Sequence, residues 1–221
     1  KGMSWVIKLL LNITSICLAQ MFDRQIQKYT QKPLRSIALL FLKFISPNQM
    51  TLLGFGFGVL MCVSIVIDQY MIAIIFLFLN RLSDGLDGAM ARLKSPTPLG
   101  GYLDIVFDFL IYGGFVLSFG ITEQNNTFLS MVLLFCYIGT GGTFLAKAAI
   151  LPSLSHQNQN NDIPKSFHYA VGLIEGSETI AFMILCLLFP NLFVYLSSIF
   201  IVLCLITIVF RIIVCYKELN Y

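Results

Sequence analysis

The sequence predicts an all-α integral membrane protein with six transmembrane helices, preceded by an amphipathic interfacial helix. Of its 221 residues, 57% are hydrophobic and only 11% are charged, and its mean hydropathy is +0.84. A soluble domain carries about 25% charged residues and could not bury so much apolar surface. The net charge of +3 is too small to indicate a nucleic-acid partner.

Six segments are predicted to be transmembrane helices, because a bilayer is crossed by roughly 20 apolar residues in helical form. Most connections between the segments are short, so neighbouring helices are expected to pack antiparallel. The second segment continues as a helix through a polar stretch to residue 91. The predicted spans are 51–67, 70–79, 101–119, 128–150, 167–189 and 192–214.

The region before the first span differs from the spans in its charge. Five cations are mixed with apolar residues between Phe22 and Phe44, a pattern typical of a basic amphipathic helix on an anionic membrane face. We therefore divide the chain into an N-terminal segment with this juxtamembrane helix, residues 1–46, and a six-helix transmembrane catalytic domain, residues 47–221.

The distribution of basic residues predicts the orientation. Cations occur in the N-terminal flank, after the second span (Arg92 and Lys94), before the fifth (Lys165) and in the C-terminal tail (Lys217), whereas the intervening turns have none. Cytoplasmic loops carry the excess of Lys and Arg. Both termini and the loop after Arg92 are thus predicted to face the cytoplasm, with the bacterial inner membrane as the expected location.

Four carboxylates lie at the cytoplasmic ends of the second and third predicted helices. Asp84 and Asp87 are spaced i,i+3, and Asp104 and Asp108 are spaced i,i+4, so each pair shares one helix face. If the helices pack antiparallel, the two acidic faces can meet. In such a cluster either like charges raise the pKa values of the carboxyls or a metal ion neutralises them. Hard oxygen ligands favour Mg²⁺, Mn²⁺ or Ca²⁺. Enough oxygens are present for two ions, which typically clamp a diphosphate.

Small residues surround the acids. Gly85, Gly88 and Ala91 remove side-chain volume from the helix surface, although glycine inside a helix costs up to about 1 kcal/mol relative to alanine. Arg92 follows Gly88 by one turn, where a guanidinium could reach a phosphate. The alternative is a helix-packing run with a polar cap, which the small residues fit but the four acids do not.

Together these residues form one long pattern: Asp84-x-x-Asp87-Gly88-x-x-Ala91-Arg92, then Gly100-x-x-x-Asp104-x-x-x-Asp108. This pattern resembles the signature of the CDP-alcohol phosphotransferase (CDP-alcohol phosphatidyltransferase) family. The intervening loop, Leu93 to Leu99, is one residue shorter than is usual in that family. The segment Pro47 to Thr51 and the six-helix pattern extend the resemblance over most of the chain.

The resemblance implies a dinuclear metal site on Asp84, Asp87 and Asp104, which Asp108 completes. The expected ions are Mg²⁺ or Mn²⁺, with Ca²⁺ as an inhibitory substitute. It further implies that Asp108 is the general base, which takes a proton from an acceptor hydroxyl. That hydroxyl would attack the β-phosphorus and expel CMP.

The resemblance also assigns the CDP part of the donor to Gly88, Ala91 and Arg92. Thr51 either caps the first helix or faces the nucleotide. The implied reaction is metal-dependent transfer of a phosphatidyl or other phospho-alcohol group, in phospholipid biosynthesis. Its partners would be a CDP-linked lipid donor such as CDP-diacylglycerol, an alcohol acceptor, membrane lipids and a second copy of the chain in a homodimer.

Four further charged residues are candidates for acceptor binding. Glu175 and Glu178 are spaced i,i+3 near the cytoplasmic start of the fifth span, and acids so close to a bilayer are functional candidates. They either line the acceptor pocket or pair with Lys147 or Arg211. Those two cations could instead extend to the membrane interface.

Two other functions fit parts of the pattern. An aspartate-rich intramembrane prenyltransferase also grips a diphosphate with carboxylates and Mg²⁺, and Asn80-x-x-x-Asp84 is similar to the first motif of such enzymes. A non-enzymatic cation transporter could use the acids as an ion site. A transporter would place them near the bilayer midplane on broken helices, whereas here they lie at one edge.

Overall fold

The computed structural model of the chain describes residues 34–157, 174 and 176–219. Every regular element within these residues is helical. The elements are α1 (34–41), α2 (Pro47–Val66), α3 (Tyr70–Lys94), α4 (Pro98–Thr122), α5 (Gln124–Gln157), α6 (Gly176–Leu188) and α7 (Phe193–Leu219), with a 3-10 turn at Pro190–Leu192.

Among the described residues, four stretches are long and apolar enough to cross a membrane: Pro47–Val66, Pro98–Thr122, Gln124–Ile150 and Pro190–Lys217. The predicted second span lies in α3, a 25-residue helix whose second half is polar. The predicted fifth span corresponds to α6, which has only 13 residues. The all-α membrane fold is therefore confirmed, while four of the six predicted spans meet the length and composition of a membrane helix.

The prediction of one continuous helix over 167–189 is wrong, because Ile174 lies in a bend and α6 begins at Gly176. The backbone N–H of Ile174 donates to the Thr207 hydroxyl of α7 at 3.1 Å. A side chain of another helix thus satisfies this amide in place of a carbonyl within its own helix.

The membrane helices begin earlier than their apolar runs. Helix α2 starts at Pro47 and not at residue 51, because Ser46 and Gln49 form a reciprocal capping box and Pro47 occupies the first turn. Helix α4 starts at Pro98, where the Thr97 hydroxyl accepts a hydrogen bond from Gly100 N–H at 3.1 Å. These caps fix where the polar ends of both helices lie.

Helix α2 packs closely on α3 and α4 through two glycines. A Cβ added at Gly54 would lie 3.0 Å from the Ser83 Cβ, and one added at Gly58 would overlap Ile111. At the same level the Asn80 amide donates to the Gly54 carbonyl at 2.8 Å. These contacts bring the polar half of α3 against the first half of α2.

The remaining helices are joined through an aromatic core. Phe119 of α4 stacks on Phe193 of α7 with centroids 4.4 Å apart. Phe182 of α6 stacks on Phe200 of α7 at 4.3 Å. Stacked aromatic pairs contribute beyond their buried area, so this end of the bundle is a rigid base for the acidic end.

The described part of the predicted interfacial region, 34–41, is helical. Its buried residue, Ala38, joins a small apolar cluster with Leu86 and Met90 of α3, while Arg35 and Phe41 are exposed. Helix α1 therefore supports the polar half of α3 from outside. Its placement at the membrane surface stays a prediction.

Candidate active site

Three of the four predicted acids meet where α3 and α4 come together. Residues 95–97 connect the end of α3 to the start of α4, and both helices pack on α2. Asp84, Asp87 and Asp104 each offer a carboxylate oxygen, and these oxygens lie within 4.8 Å of one another. The convergence predicted from helix spacing is therefore present for these three residues.

The three carboxylates have the properties of a divalent-cation site. Asp87 is buried, with 7% of its surface exposed, and its Oδ2 has no hydrogen-bond partner among the described residues. A buried carboxylate oxygen without a partner is costly, and its two acidic neighbours add repulsion. A hard cation relieves both costs and matches an all-oxygen donor set.

Asp108 lies beside this cluster but has different partners. Arg81 Nη2 donates to Asp108 Oδ1 at 2.7 Å, and the Tyr112 hydroxyl donates to Oδ2 at 3.2 Å. Arg81 Nη1 also lies 3.6 Å from Asp84 Oδ2. Asp108 is thus neutralised by a guanidinium, and it is not a member of the three-carboxylate group.

Sequence reasoning missed both partners of Asp108. Arg81 stands three residues before Asp84, and Tyr112 stands four residues after Asp108, so each is on the correct helix face to reach the acids. This helical spacing is the feature of the sequence from which Arg81 and Tyr112 could have been identified.

A cavity of about 510 Å³ opens on one side of the acid cluster, between the start of α2, the end of α3 and the start of α4. It is lined by every residue that the sequence assigns to CDP: Thr51, Gly88, Ala91 and Arg92. Asp87 and Asp104 also line it. The nucleotide candidates and two metal candidates therefore share one space.

Local contacts explain two of these positions. A Cβ added at Gly88 would lie 3.4 Å from Arg92 Nη1, so the guanidinium folds back over the glycine. Thr51 does not cap α2, since Ser46 does so and the Thr51 hydroxyl donates to the Pro47 carbonyl at 3.1 Å. The predicted cap at Thr51 is therefore wrong, and its predicted contact with the nucleotide stays a prediction.

A second cavity has a volume of about 410 Å³, and Asp104, Asp108, Tyr112 and Arg211 are among its lining residues. Arg211 is buried, with 7% exposure, and Nη1 donates to the Thr140 carbonyl at 2.9 Å. Asp104 lines both cavities, so the two spaces meet at this carboxylate.

The other acceptor candidates are placed elsewhere. Lys147 is also buried, on α5, and Glu178 accepts a hydrogen bond from the Ser177 hydroxyl at 3.2 Å on α6. Neither is among the described residues that line the second cavity. Glu175 lies outside the described residues.

Several curated proteins are similar in sequence to this chain. "Inner membrane protein YnjF" of Escherichia coli is 44% identical over 168 residues, which cover 74% of this chain and 79% of the relative. "Archaetidylinositol phosphate synthase" of Pyrococcus horikoshii is 27% identical over 150 residues, 66% of this chain and 70% of the relative. "Bifunctional IPC transferase and DIPP synthase" of Thermococcus kodakarensis is 28% identical over 105 residues, 47% of this chain and 24% of the relative.

A family model described as CDP-alcohol phosphatidyltransferase matches residues 44–213. This match begins just before α2, ends within α7, and includes both cavities and the acids between them. The chain is therefore a membrane transferase that belongs to the CDP-alcohol phosphatidyltransferase family.

Proposed function

We propose that this protein transfers a phosphatidyl or other phospho-alcohol group from a CDP-linked donor, such as CDP-diacylglycerol, to an alcohol acceptor and releases CMP in phospholipid biosynthesis. The observation that carries the proposal is the 510 Å³ cavity, whose lining combines Thr51, Gly88, Ala91 and Arg92 with Asp87 and Asp104. A nucleotide diphosphate and its counter-ions need such a combination of small residues, a cation and carboxylates.

Asp84, Asp87 and Asp104 would hold Mg²⁺ or Mn²⁺, most simply as two ions, with Asp108 as a further ligand. Bound ions would offset the negative charge of the diphosphate and of the departing CMP. Ca²⁺ prefers the same oxygens but a looser geometry, which is why we propose it as an inhibitory substitute.

Asp108 is proposed as the general base. It lines the 410 Å³ cavity, and a carboxylate can accept a proton from a hydroxyl within hydrogen-bond reach. As the acceptor oxygen forms its bond to the β-phosphorus, the bond between that phosphorus and the CMP oxygen breaks. The hydroxyl proton passes to Asp108 and CMP leaves.

The 410 Å³ cavity is the proposed acceptor site, because Asp108 lines it and it meets the 510 Å³ cavity at Asp104. Arg211, which also lines it, would provide a cation for an anionic acceptor. Lys147 and Glu178, which lie outside that lining, and Glu175 stay candidates for acceptor binding. The name of the Pyrococcus relative includes an inositol phosphate product. An inositol phosphate is therefore the first acceptor to test, beside glycerol phosphate, serine and choline.

The setting proposed for the reaction is the inner membrane of a bacterium, with the active site and both termini facing the cytoplasm. A homodimer in the membrane plane and direct contact with membrane lipids belong to the same proposal. The relative named as an inner membrane protein supports the location.

The test is an acceptor screen with CDP-diacylglycerol labelled in its lipid part, in which both CMP and the lipid product are measured. We expect divalent-cation-dependent CMP release that occurs together with formation of a new lipid for one acceptor. Turnover of an isoprenyl diphosphate would instead support a prenyltransferase, and cation flux would support a transporter. The prenyltransferase alternative depends on the motif that begins at Asn80. Asn80 is only 4% exposed and its amide already donates to the Gly54 carbonyl, which disfavours a role in binding a diphosphate.

A further inference from the structure

Arg81 makes polar contacts with residues on both sides of the helix interface. Its Nη2 donates to Asp108 Oδ1 at 2.7 Å, and its Nη1 donates to the Tyr112 hydroxyl at 3.4 Å. Its guanidinium carbon lies 5.8 Å from the centre of the Tyr112 ring. Only 17% of its side chain is exposed. Arg81 is therefore a largely desolvated cation whose shortest carboxylate contact is with Asp108 on α4.

The guanidinium is itself held in place. Arg81 Nε donates to Asn80 Oδ1 at 2.8 Å, and Asn80 Nδ2 donates to the Gly54 carbonyl at 2.8 Å. A chain of hydrogen bonds thus runs from the backbone of α2, through Asn80 and Arg81, to Asp108. Since a guanidinium is planar and offers several donors in fixed directions, fixing Nε also fixes the direction of Nη2.

Asp108 has two side-chain partners on which its orientation depends. Asp84, Asp87 and Asp104 converge within 4.8 Å, while both oxygens of Asp108 are occupied by Arg81 and Tyr112 at the border of the 410 Å³ cavity. Without a cation at this point, repulsion from Asp84 would act on Asp108. Arg81 lies between the two, 3.6 Å from Asp84 Oδ2.

We propose that Arg81 is a positioning residue for the transfer reaction: braced by Asn80, it fixes the carboxylate of Asp108 at the edge of the acceptor cavity. This inference rests on the proposed function and assigns a new residue to it. Arg81 acts through Asp108 and needs no contact with the donor. Its effect should therefore appear in the rate of transfer and not in donor binding.

The test compares Arg81→Ala and Arg81→Lys with the wild-type protein in detergent or nanodiscs. Displacement of a reacting group by about 1 Å can cost about 100-fold in rate, so Arg81→Ala should lower kcat by about 100-fold with the KM for the CDP-linked donor nearly unchanged. Added guanidinium chloride at low concentration should restore part of the kcat. Lysine should restore little, because an ammonium lacks the second, fixed donor for Asn80.

Two controls make the outcome specific. Arg35→Ala removes an exposed arginine of α1 and should retain wild-type kinetics. Thermal unfolding of each variant separates loss of fold from loss of positioning. A wild-type kcat in Arg81→Ala would overturn the inference. It would also be overturned if donor binding fell as much as the rate and guanidinium restored neither. Failure of the proposed function shows differently, as absence of CMP release from the wild-type protein.

Discussion

At the residue scale, four aspartates on two helices have different surroundings. Asp87 is buried with a carboxylate oxygen that has no partner among the described residues, and Asp108 is paired with a guanidinium. Asp104 is exposed and borders both cavities. Identical side chains therefore divide into a group of three, proposed to bind cations, and a separate carboxylate, proposed as the base.

Asp108→Asn tests the second role. The amide is nearly the same size as the carboxylate but accepts no proton, so turnover should be abolished while donor binding stays measurable. The experiment pairs CMP release with equilibrium binding of labelled CDP-diacylglycerol. Retained turnover would remove Asp108 as the base.

Asp87→Asn tests the first role. Even the loss of groups that only support a metal ligand costs about 10- to 100-fold in metal affinity, so loss of this ligand should weaken metal-dependent donor binding by at least tenfold. Donor binding titrated with Mg²⁺ or Mn²⁺ measures this effect. Asp68→Asn is the matched control, because Asp68 lies between α2 and α3 and hydrogen-bonds Tyr70. Unchanged metal dependence in Asp87→Asn would count against its ligand role.

The acids could be located from sequence because their helical spacing alone places them on one face. The partners of Asp108 could not, since Arg81 reaches α4 only through a particular rotamer and the relative rotation of two helices. The sequence also left open whether the Arg211 side chain is buried or extends to the membrane interface. Its burial depends on the packing of α5 on α7, which no local pattern encodes.

At the scale of elements, caps and close packing decide where the site lies. Hydropathy predicted the helices of the bundle but placed the start of α2 four residues late, because Ser46 and Pro47 are not apolar. It also missed the bend at Ile174, which depends on a hydroxyl from α7. The periodicity of apolar residues predicts which face of a single helix is buried. The start of α2 and the bend at Ile174 depend instead on specific polar contacts.

Gly58→Leu tests the close packing of α2 on α4. The new side chain would overlap buried Ile111, and overpacking of this kind costs about 1–3 kcal/mol. Gly56→Leu is the matched control on the same helix, because a Cβ there meets nothing within 4 Å. Both variants gain the same helix propensity, so thermal unfolding in detergent isolates the packing cost. Equal unfolding temperatures would show that α2 and α4 are not tightly packed at Gly58.

At the scale of the whole molecule, the bundle forms two cavities that meet at Asp104. The 510 Å³ cavity is formed by α2, α3 and α4, and the 410 Å³ cavity adds residues from α5, α6 and α7. Two adjoining cavities suit the proposed transfer, because donor and acceptor must both reach the same phosphorus. The all-helical membrane class and the family were predictable from sequence, but the second cavity was not, since its walls come from distant segments.

The predicted orientation is testable by cysteine labelling, after replacement of the six native cysteines. Ser95 lies between α3 and α4, and Asn125 lies at the other end of α4. With a membrane-impermeant maleimide, Asn125→Cys should react in intact spheroplasts and Ser95→Cys only in inside-out vesicles. The reverse pattern would place the acidic site outside the cytoplasm.

The proposed binding of divalent ions by Asp84, Asp87 and Asp104 can be observed by anomalous diffraction from crystals grown with Mn²⁺ and a CDP-linked donor. We expect Mn²⁺ peaks among these three carboxylates, with the cytidine diphosphate in the cavity lined by Thr51, Gly88 and Arg92. Mn²⁺ bound elsewhere, with these carboxylates free of metal in the presence of bound donor, would contradict it.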